Sequence, residues 1–249
     1  MYIVNAFWSI VPGNEQAARA ALSELAAQIE RTETGTLMYL IHTPNLDPGI
    51  NIYPPPAAVQ VAFIEGYEDR AAFLAHRQGP NLAAFIANHG GLFLNMYGPA
   101  APWVSVQTLE LAVGFIRPAQ VDPHVFQVEA RWTMKPGNRA KVAAALVDYV
   151  KAVKAIEPGT YMYTVNFADE SPDSGAIPPM QPGTVTYNSA WKDHDAFVAH
   201  TKEPVYLAFL KTHGDLFVQV IPGSTMHPYM NTSVLKRFAG FLRPEAFVG

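Results

Sequence analysis

From Tyr2 to Ile10 the chain alternates between two faces, with Tyr2, Val4, Ala6, Trp8 and Ile10 on one side and Ile3, Asn5, Phe7 and Ser9 on the other. A period of two predicts a strand with both faces in use. Pro12-Gly13-Asn14 turns the chain and puts Asn14 where a helix cap belongs. Ala18, Leu22, Leu25 and Ile29 then recur at helical spacing, Gly35 stands where that helix should stop, and residues 36–42 read as a second strand. Residues 43–57 are rich in proline, lack periodicity and read as a loop, after which 58–65 read as a third strand. Asp69 opens a helix that carries Phe73 and His76, and a further helical piece starts at Pro80. A fourth strand is expected over 91–97. A tail ending in Gly114-Phe115-Ile116-Arg117-Pro118 suits an extra strand that protects a sheet edge, of its own half or of the other.

The same pattern then runs a second time. Ala6-Phe7-Trp8-Ser9-Ile10-Val11-Pro12-Gly13-Asn14 returns as Ala130-Arg131-Trp132-Thr133-Met134-Lys135-Pro136-Gly137-Asn138, at a constant offset of 124. Phe73, His76 and Pro80 return as Phe197, His200 and Pro204, and His89-Gly90 returns as His213-Gly214. About a third of the paired positions up to Asn95 are identical and spread across the unit, which marks a duplication. Two domains are therefore expected, 1–120 and 121–249. The proline-rich loop recurs over 168–183. Loops of this length act as lids or binding segments, or as arms that pack the halves together, and both readings stay open.

Each half reads as β-α-β-β-α-β, the ferredoxin-like unit, which covers one face of a four-stranded sheet with helices and leaves the other bare. Packing the two bare faces on each other gives an α+β chain folded as a dimeric α/β barrel within one molecule. Such a chain holds inside itself the interface a homodimer would form between subunits.

Composition narrows the function classes. The formal net charge is −4 and no basic run is present, which argues against a nucleic-acid partner. No apolar stretch approaches the ~18 residues of a membrane span, and the N-terminus lacks the pattern of a signal peptide, so a cytoplasmic protein is expected. There is no cysteine, which removes disulfides, thiolate metal sites and cysteine nucleophiles. The eight histidines include no pair at helical i, i+4 spacing, so no metal site is expected, and no phosphate loop, nucleophile elbow or dinucleotide fingerprint is present.

The Pro-Gly turn after the first strand, Pro-Gly-Thr before the second, and Trp-x-x-x-x-x-Phe-x-x-His after the third form an ordered set. Trp191, Phe197, His200 and Pro204 carry it in the second half, and Tyr67, Phe73, His76 and Pro80 stand in the same places in the first. In this the chain resembles the antibiotic biosynthesis monooxygenase family over nearly its whole length. The resemblance implies a fused dimeric α+β barrel and, as in some members, oxidation of anthrones or quinols by O2 with no bound cofactor. Related branches of the fold bind heme, which makes heme the alternative cofactor. Where the best-known oxygenases have Asn four residues before the Trp and Tyr six after it, this chain has Tyr187 and Phe197, or Phe63 and Phe73.

These patterns nominate a site. His200, beside an aromatic that faces the sheet, suits a general base that deprotonates a phenolic substrate, with Tyr187 and Trp191 on one face of the neighbouring strand. Trp132, Tyr163, Phe197, His76 and Tyr67 are expected to bind substrate by stacking and hydrogen bonding. The second half is preferred, because Phe63 and Tyr67 are the less polar counterparts and Phe63, Phe73 and Trp8 would fill the first pocket. The expected partners are a small aromatic substrate and O2, and the proline-rich arms suit a homodimer contact. A non-catalytic small-molecule binder remains the third reading.

Overall fold

The computed structural model describes residues 1–50, 56–94, 104–218 and 230–247. The first repeat runs β1 (Tyr2–Ser9), α1 (Glu15–Thr32), β2 (Thr36–Pro44), β3 (Gln60–Tyr67), α2 (Arg70–Gln78), α3 (Pro80–His89) and β4 (Val104–Ile116). The second runs β5 (Phe126–Thr133), α4 (Arg139–Ile156), β6 (Thr160–Ala168), β7 (Thr184–Trp191), α5 (His194–Lys202), α6 (Pro204–His213) and β8 (Met230–Leu242). Local chemistry sets many of these boundaries. Asp69 and Asp193 each accept a hydrogen bond from a first-turn amide, Ala72 N or Ala196 N, at 2.9 Å. Pro80 and Pro204 occupy first helical positions, where a missing N–H costs nothing. Asn14 and Asn138 stand at the starts of α1 and α4, but neither side chain makes the expected cap bond. Gly35 follows the end of α1 for a packing reason: a Cβ there would come within 3.0 Å of Ala72 Cβ on α2.

All eight strands close into one antiparallel barrel in the order β1-β3-β2-β8-β5-β7-β6-β4. The closure corrects one expectation. Residues 91–94 and 215–218 give only 3-10 turns at Gly90–Leu92 and Gly214–Leu216 and the single bridges Ile10–Phe93 and Met134–Phe217; the rest of the expected fourth strands lies outside the described residues. The tails are the fourth strands instead. Each has 13 residues, against eight for its first partner, so it has length left over for a second. The first part of β4 pairs with β1 and its last part with β6 of the other repeat; β8 likewise serves β5 and then β2. At the β2–β8 seam the register shifts, and Gly240 takes φ +105°. A side chain there would collide with the Tyr39 carbonyl, so glycine is required.

The two faces of the barrel wall do different jobs. Ile3, Phe7, Met38, Leu40, Ile64 and Leu235 belong to the interior core. The opposite face of each repeat, with Val4, Trp8, Tyr39 and Phe63 or with Val128, Trp132, Tyr163 and Tyr187, packs under its own helices. Arginine in the tail ties the repeats together. Arg243 donates to the Thr36 carbonyl (2.9 Å) and the Glu30 carbonyl (2.6 Å) at the end of α1, and Arg117 does the same at the Glu157 (2.8 Å) and Lys154 (2.6 Å) carbonyls of α4. A cation on the exposed carbonyls of a helix end is favourable both as a hydrogen bond and against the helix dipole.

The proline-rich arm of the second repeat crosses onto the first. Ile177 exchanges two backbone hydrogen bonds with Val106 of β4, at 2.7 and 2.9 Å. Tyr2 donates to Asp169 at 2.7 Å, Arg77 donates to the Gly175 carbonyl at 2.8 Å, and Arg70 pairs with Asp173 at 2.8 Å. The arm of the first repeat crosses the other way, with Ile50 packed on the second repeat's core. For the arm of the second repeat, packing on the other half and lining a pocket are one role. No described helix is long and apolar enough to cross a membrane.

Candidate functional site

Each repeat builds a slot between its sheet and its second helix pair, from residues the duplication places alike. The slot of the first repeat is open, with a volume of about 630 Å³. Val4, Ala6 and Trp8 of β1 and Tyr39 of β2 form its floor, Leu82 and Ile86 of α3 one wall, and Val106 with Ile177–Pro179 of the crossing arm the other. Apolar side chains dominate the lining, and the polar groups Glu65, His76 and Arg77 gather at one end.

His76 is held from behind. Its Nδ1 lies 2.7 Å from Glu33 Oε2, and the other oxygen of Glu33 accepts a 2.7 Å bond from Asn81 Nδ2. Glu33 sits at the cap of α1, so the end of one helix supplies the carboxylate and the last turn of α2 supplies the imidazole. This arrangement puts the proton on Nδ1 and leaves the lone pair on Nε2, which makes no hydrogen bond among the described residues. Burial disfavours the charged ring, but the bond that it donates to Glu33 and the charges of Glu65 and Glu33 outweigh it, so His76 titrates above the usual histidine value. Burial pushes the Glu65 carboxyl upward, only partly offset by His76 and by the Tyr67 hydroxyl, which donates to Glu65 Oε2 at 2.7 Å. Burial also keeps Tyr39 and Tyr67 far above the ordinary phenol range, as neutral donors. Trp8 Nε1 is buried in the slot lining with no partner among the described residues, a donor left for a ligand.

The second slot contains all six residues nominated there. His200, Tyr187, Trp191, Trp132, Tyr163 and Phe197 line a single space, but its volume is about 60 Å³. Larger aromatic side chains stand at four matching positions in or beside this slot: Tyr206 for Leu82, Tyr149 for Leu25, Trp191 for Tyr67 and Tyr187 for Phe63. Trp132 and Tyr187 lie with ring centroids 4.9 Å apart, Trp191 and Phe197 4.8 Å, and His200 and Tyr206 5.3 Å. His200 meets Glu157 at 2.9 Å through Nδ1, as His76 meets Glu33, but its Nε2 lies 3.3 Å from the Tyr149 hydroxyl, which in turn receives the Tyr163 hydroxyl at 3.4 Å. Both ring nitrogens of His200 are therefore engaged.

The preference for the second pocket is thus reversed by volume. Trp8, Phe63 and Phe73 do not fill the first slot. Trp8 lines it, while Phe63 packs 5.0 Å from Trp8 and Phe73 5.6 Å from Tyr67, in the core beside it. Of the nominated residues in the first repeat, His76 lines the slot and Tyr67 sits against it, their ring centroids 5.6 Å apart. Glu33, Glu65 and Arg77 escaped the sequence reading. Glu33 had a legible signal, since Glu157 repeats it just before the Gly-Thr of the second strand; Glu65 and Arg77 had none, since Ser189 and Thr201 stand opposite them.

Comparison with known proteins follows the same outline. The family model described as antibiotic biosynthesis monooxygenase matches twice, over residues 1–88 and 125–212. A proposed monooxygenase from Fusobacterium nucleatum superposes with a TM-score of 0.70 at 14% identity, over 95% of this chain and 92% of its own. One from Lactobacillus acidophilus gives 0.71 at 12% identity, over 97% and 96%. An anthrone oxidase-like protein gives 0.57 at 14% identity, over 94% and 90%. At these identities the likeness is one of fold. No curated protein matches the chain.

Proposed function

The chain belongs to the antibiotic biosynthesis monooxygenase family, and from that premise we propose that it oxidises a small aromatic, phenolic or quinol-like substrate with O2, without a bound cofactor, in the slot of the first repeat. One observation carries the reading: an imidazole oriented by a carboxylate at Nδ1, with no partner at Nε2 among the described residues, lines an apolar cavity of about 630 Å³. That volume accommodates a flat molecule of two or three fused rings. One fold neighbour is named anthrone oxidase-like, and an anthrone is a flat three-ring molecule of that size.

The chemistry needs little from the protein. His76 Nε2 removes a proton from a phenol or from an activated CH2, and Glu33 steadies the imidazolium that results. The substrate anion is electron-rich enough to pass an electron to O2, and the radical pair combines to a peroxide on the substrate carbon. Loss of water then leaves a carbonyl, so that one oxygen atom stays in the product and the other departs as water. Every electron comes from the substrate. The apolar walls formed by Leu82, Ile86 and Ile177 exclude water from the anion, and Trp8 Nε1 and the Tyr39 hydroxyl are neutral donors of the lining that can hold an oxygen substituent.

Oxygen uptake over a panel of anthrones, hydroquinones and polyphenols tests this directly. Turnover is expected, with kcat/KM reduced at least about 100-fold in His76→Ala and little changed in His200→Ala. No uptake over the panel, or equal loss in the two variants, would overturn it. A Soret band that forms with hemin and vanishes in His76→Ala would replace the cofactor-free reading with a heme one.

A further inference from the structure

The interior of the barrel is as unequal as its slots, in the opposite sense. The first repeat turns Ile3, Phe7, Leu40, Ala62 and Ile64 inward, whereas the second has Gln127, Arg131, Thr164, Thr186 and Asn188 at the matching positions. Asn5 is a polar exception in the first repeat, and it exchanges two amide bonds with Asn188 at 2.9 and 3.0 Å. Polar residues of this kind, removed from water, need partners.

Where these residues reach the barrel mouth there is a cavity of about 230 Å³, bounded by Gln107 of β4, Arg131 and Thr133 of β5, Asn231 of β8 and Gln181 of the crossing arm. Gln107 is 7% exposed, and its Oε1 has no hydrogen-bond partner among the described residues; the same is true of Asn231 Oδ1. Arg131 Nε lies 3.0 Å from Glu129 Oε1, while the two terminal nitrogens of Arg131 make no hydrogen bond among the described residues. The repeat-related residues Phe7, Ser9 and Ser233 stand at the same mouth, because β1 and β5 run in the same direction around the barrel. The Phe7 ring centroid lies 5.7 Å from the Arg131 guanidinium carbon, so the mouth has a cation on one side and an aromatic face on the other.

We propose that this cavity is a second binding site, separate from the oxidation slot, for a small organic carboxylate that also carries a hydroxyl or ammonium donor. The planar fork of Arg131 matches a carboxylate through two parallel N–H bonds, and the oxygens of Gln107 and Asn231 receive the donor. Glu129 behind the guanidinium limits the site to one negative charge, which favours a carboxylate over a phosphate dianion. Ile177–Pro179 wall this cavity on one side and the oxidation slot on the other.

Calorimetric titration of the full chain with 2-hydroxyisocaproate, leucine, isocaproate and inorganic phosphate tests the assignment. The first two should bind at millimolar concentration or below, isocaproate about tenfold more weakly for want of the donor, and phosphate not at all. Arg131→Met should weaken binding by at least about tenfold. Leu82→Tyr, which narrows the other slot, should leave it unchanged. No binding of 2-hydroxyisocaproate or leucine, binding that survives Arg131→Met, or binding lost in Leu82→Tyr overturns the proposal. Should Arg131→Met fail to fold, Gln107→Leu decides: it must erase the preference for 2-hydroxyisocaproate over isocaproate, and a retained preference overturns the site.

Discussion

The two slots have the same frame and the same carboxylate–histidine pair, yet one is about ten times the volume of the other. Both histidines occupy the last turn of a nine-residue helix, and both meet a glutamate at the end of the preceding long helix. What differs is the filling. Aromatic bulk at Tyr149, Tyr187, Trp191 and Tyr206 turns a cavity into a core and closes the free nitrogen of His200 with a hydroxyl. A duplicated chain thus keeps the geometry of a site twice while keeping room for a ligand once. Polarity has moved with it: the first repeat holds Glu65 and Arg77 in its slot, and the second holds its polar residues inside the barrel.

Exchanging the filling is the most direct way to break this contrast. Leu82→Tyr, which copies the second repeat into the first, should lower kcat/KM on an aromatic substrate about 100-fold by occupying the ring's place, with the fold retained by circular dichroism. The reverse change, Tyr206→Leu, should open the second slot and free space beside His200. It should destabilise the protein by about 2–4 kcal/mol in chemical denaturation, the cost of a cavity in a packed core. A wild-type midpoint would show that Tyr206 is not packed as described.

Next in size are the pH effects. Because His76 is raised and must be neutral to act as a base, kcat/KM should climb with rising pH through a midpoint above 6.5. Glu33→Gln removes the leading cause of that elevation, so the midpoint should move to lower pH while the rate falls about tenfold. Stability follows the opposite sense for the histidine. Its contribution is complete below the unfolded value and fades as pH rises through the elevated folded value. The contribution of Glu33, whose pKa is lowered despite burial by its bonds with His76 and Asn81, is complete above its unfolded value and is lost as pH falls through the depressed one. A stability profile flat across both windows would refute the pairing. The smallest effect is the one that should not discriminate at all. Asp69→Ala and Asp193→Ala remove equivalent caps and should each cost about 1 kcal/mol, equal within error.

Much of this was readable in the residues. The alternation at Tyr2–Ile10 placed β1 and its two faces, the offset of 124 announced the duplication, and Asp69 and Asp193 marked helix starts that the caps confirm. The ordered set put Trp191, Phe197 and His200 together in the second slot, whereas of its counterparts in the first repeat only His76 lines the slot. The fourth strand was misplaced because His-Gly-x-Leu-Phe reads as the start of an extended segment, whereas the strand partners for the tail lie in both repeats, over 40 residues away along the chain. Glu65 was missed because it lies in the third strand with no counterpart in the repeat to draw notice.

Periodicity and self-similarity are local or pairwise properties, and they suffice for the elements, the twofold plan and the kinds of side chain that meet under each helix pair. Which slot stays open is a different kind of question. It depends on Leu82 or Tyr206, each fifteen residues beyond the strand that ends at Tyr67 or Trp191, and on an arm that arrives from the opposite repeat. Free volume and unpaired lone pairs are sums over neighbours that are distant in the chain, so they exist only once the barrel has closed.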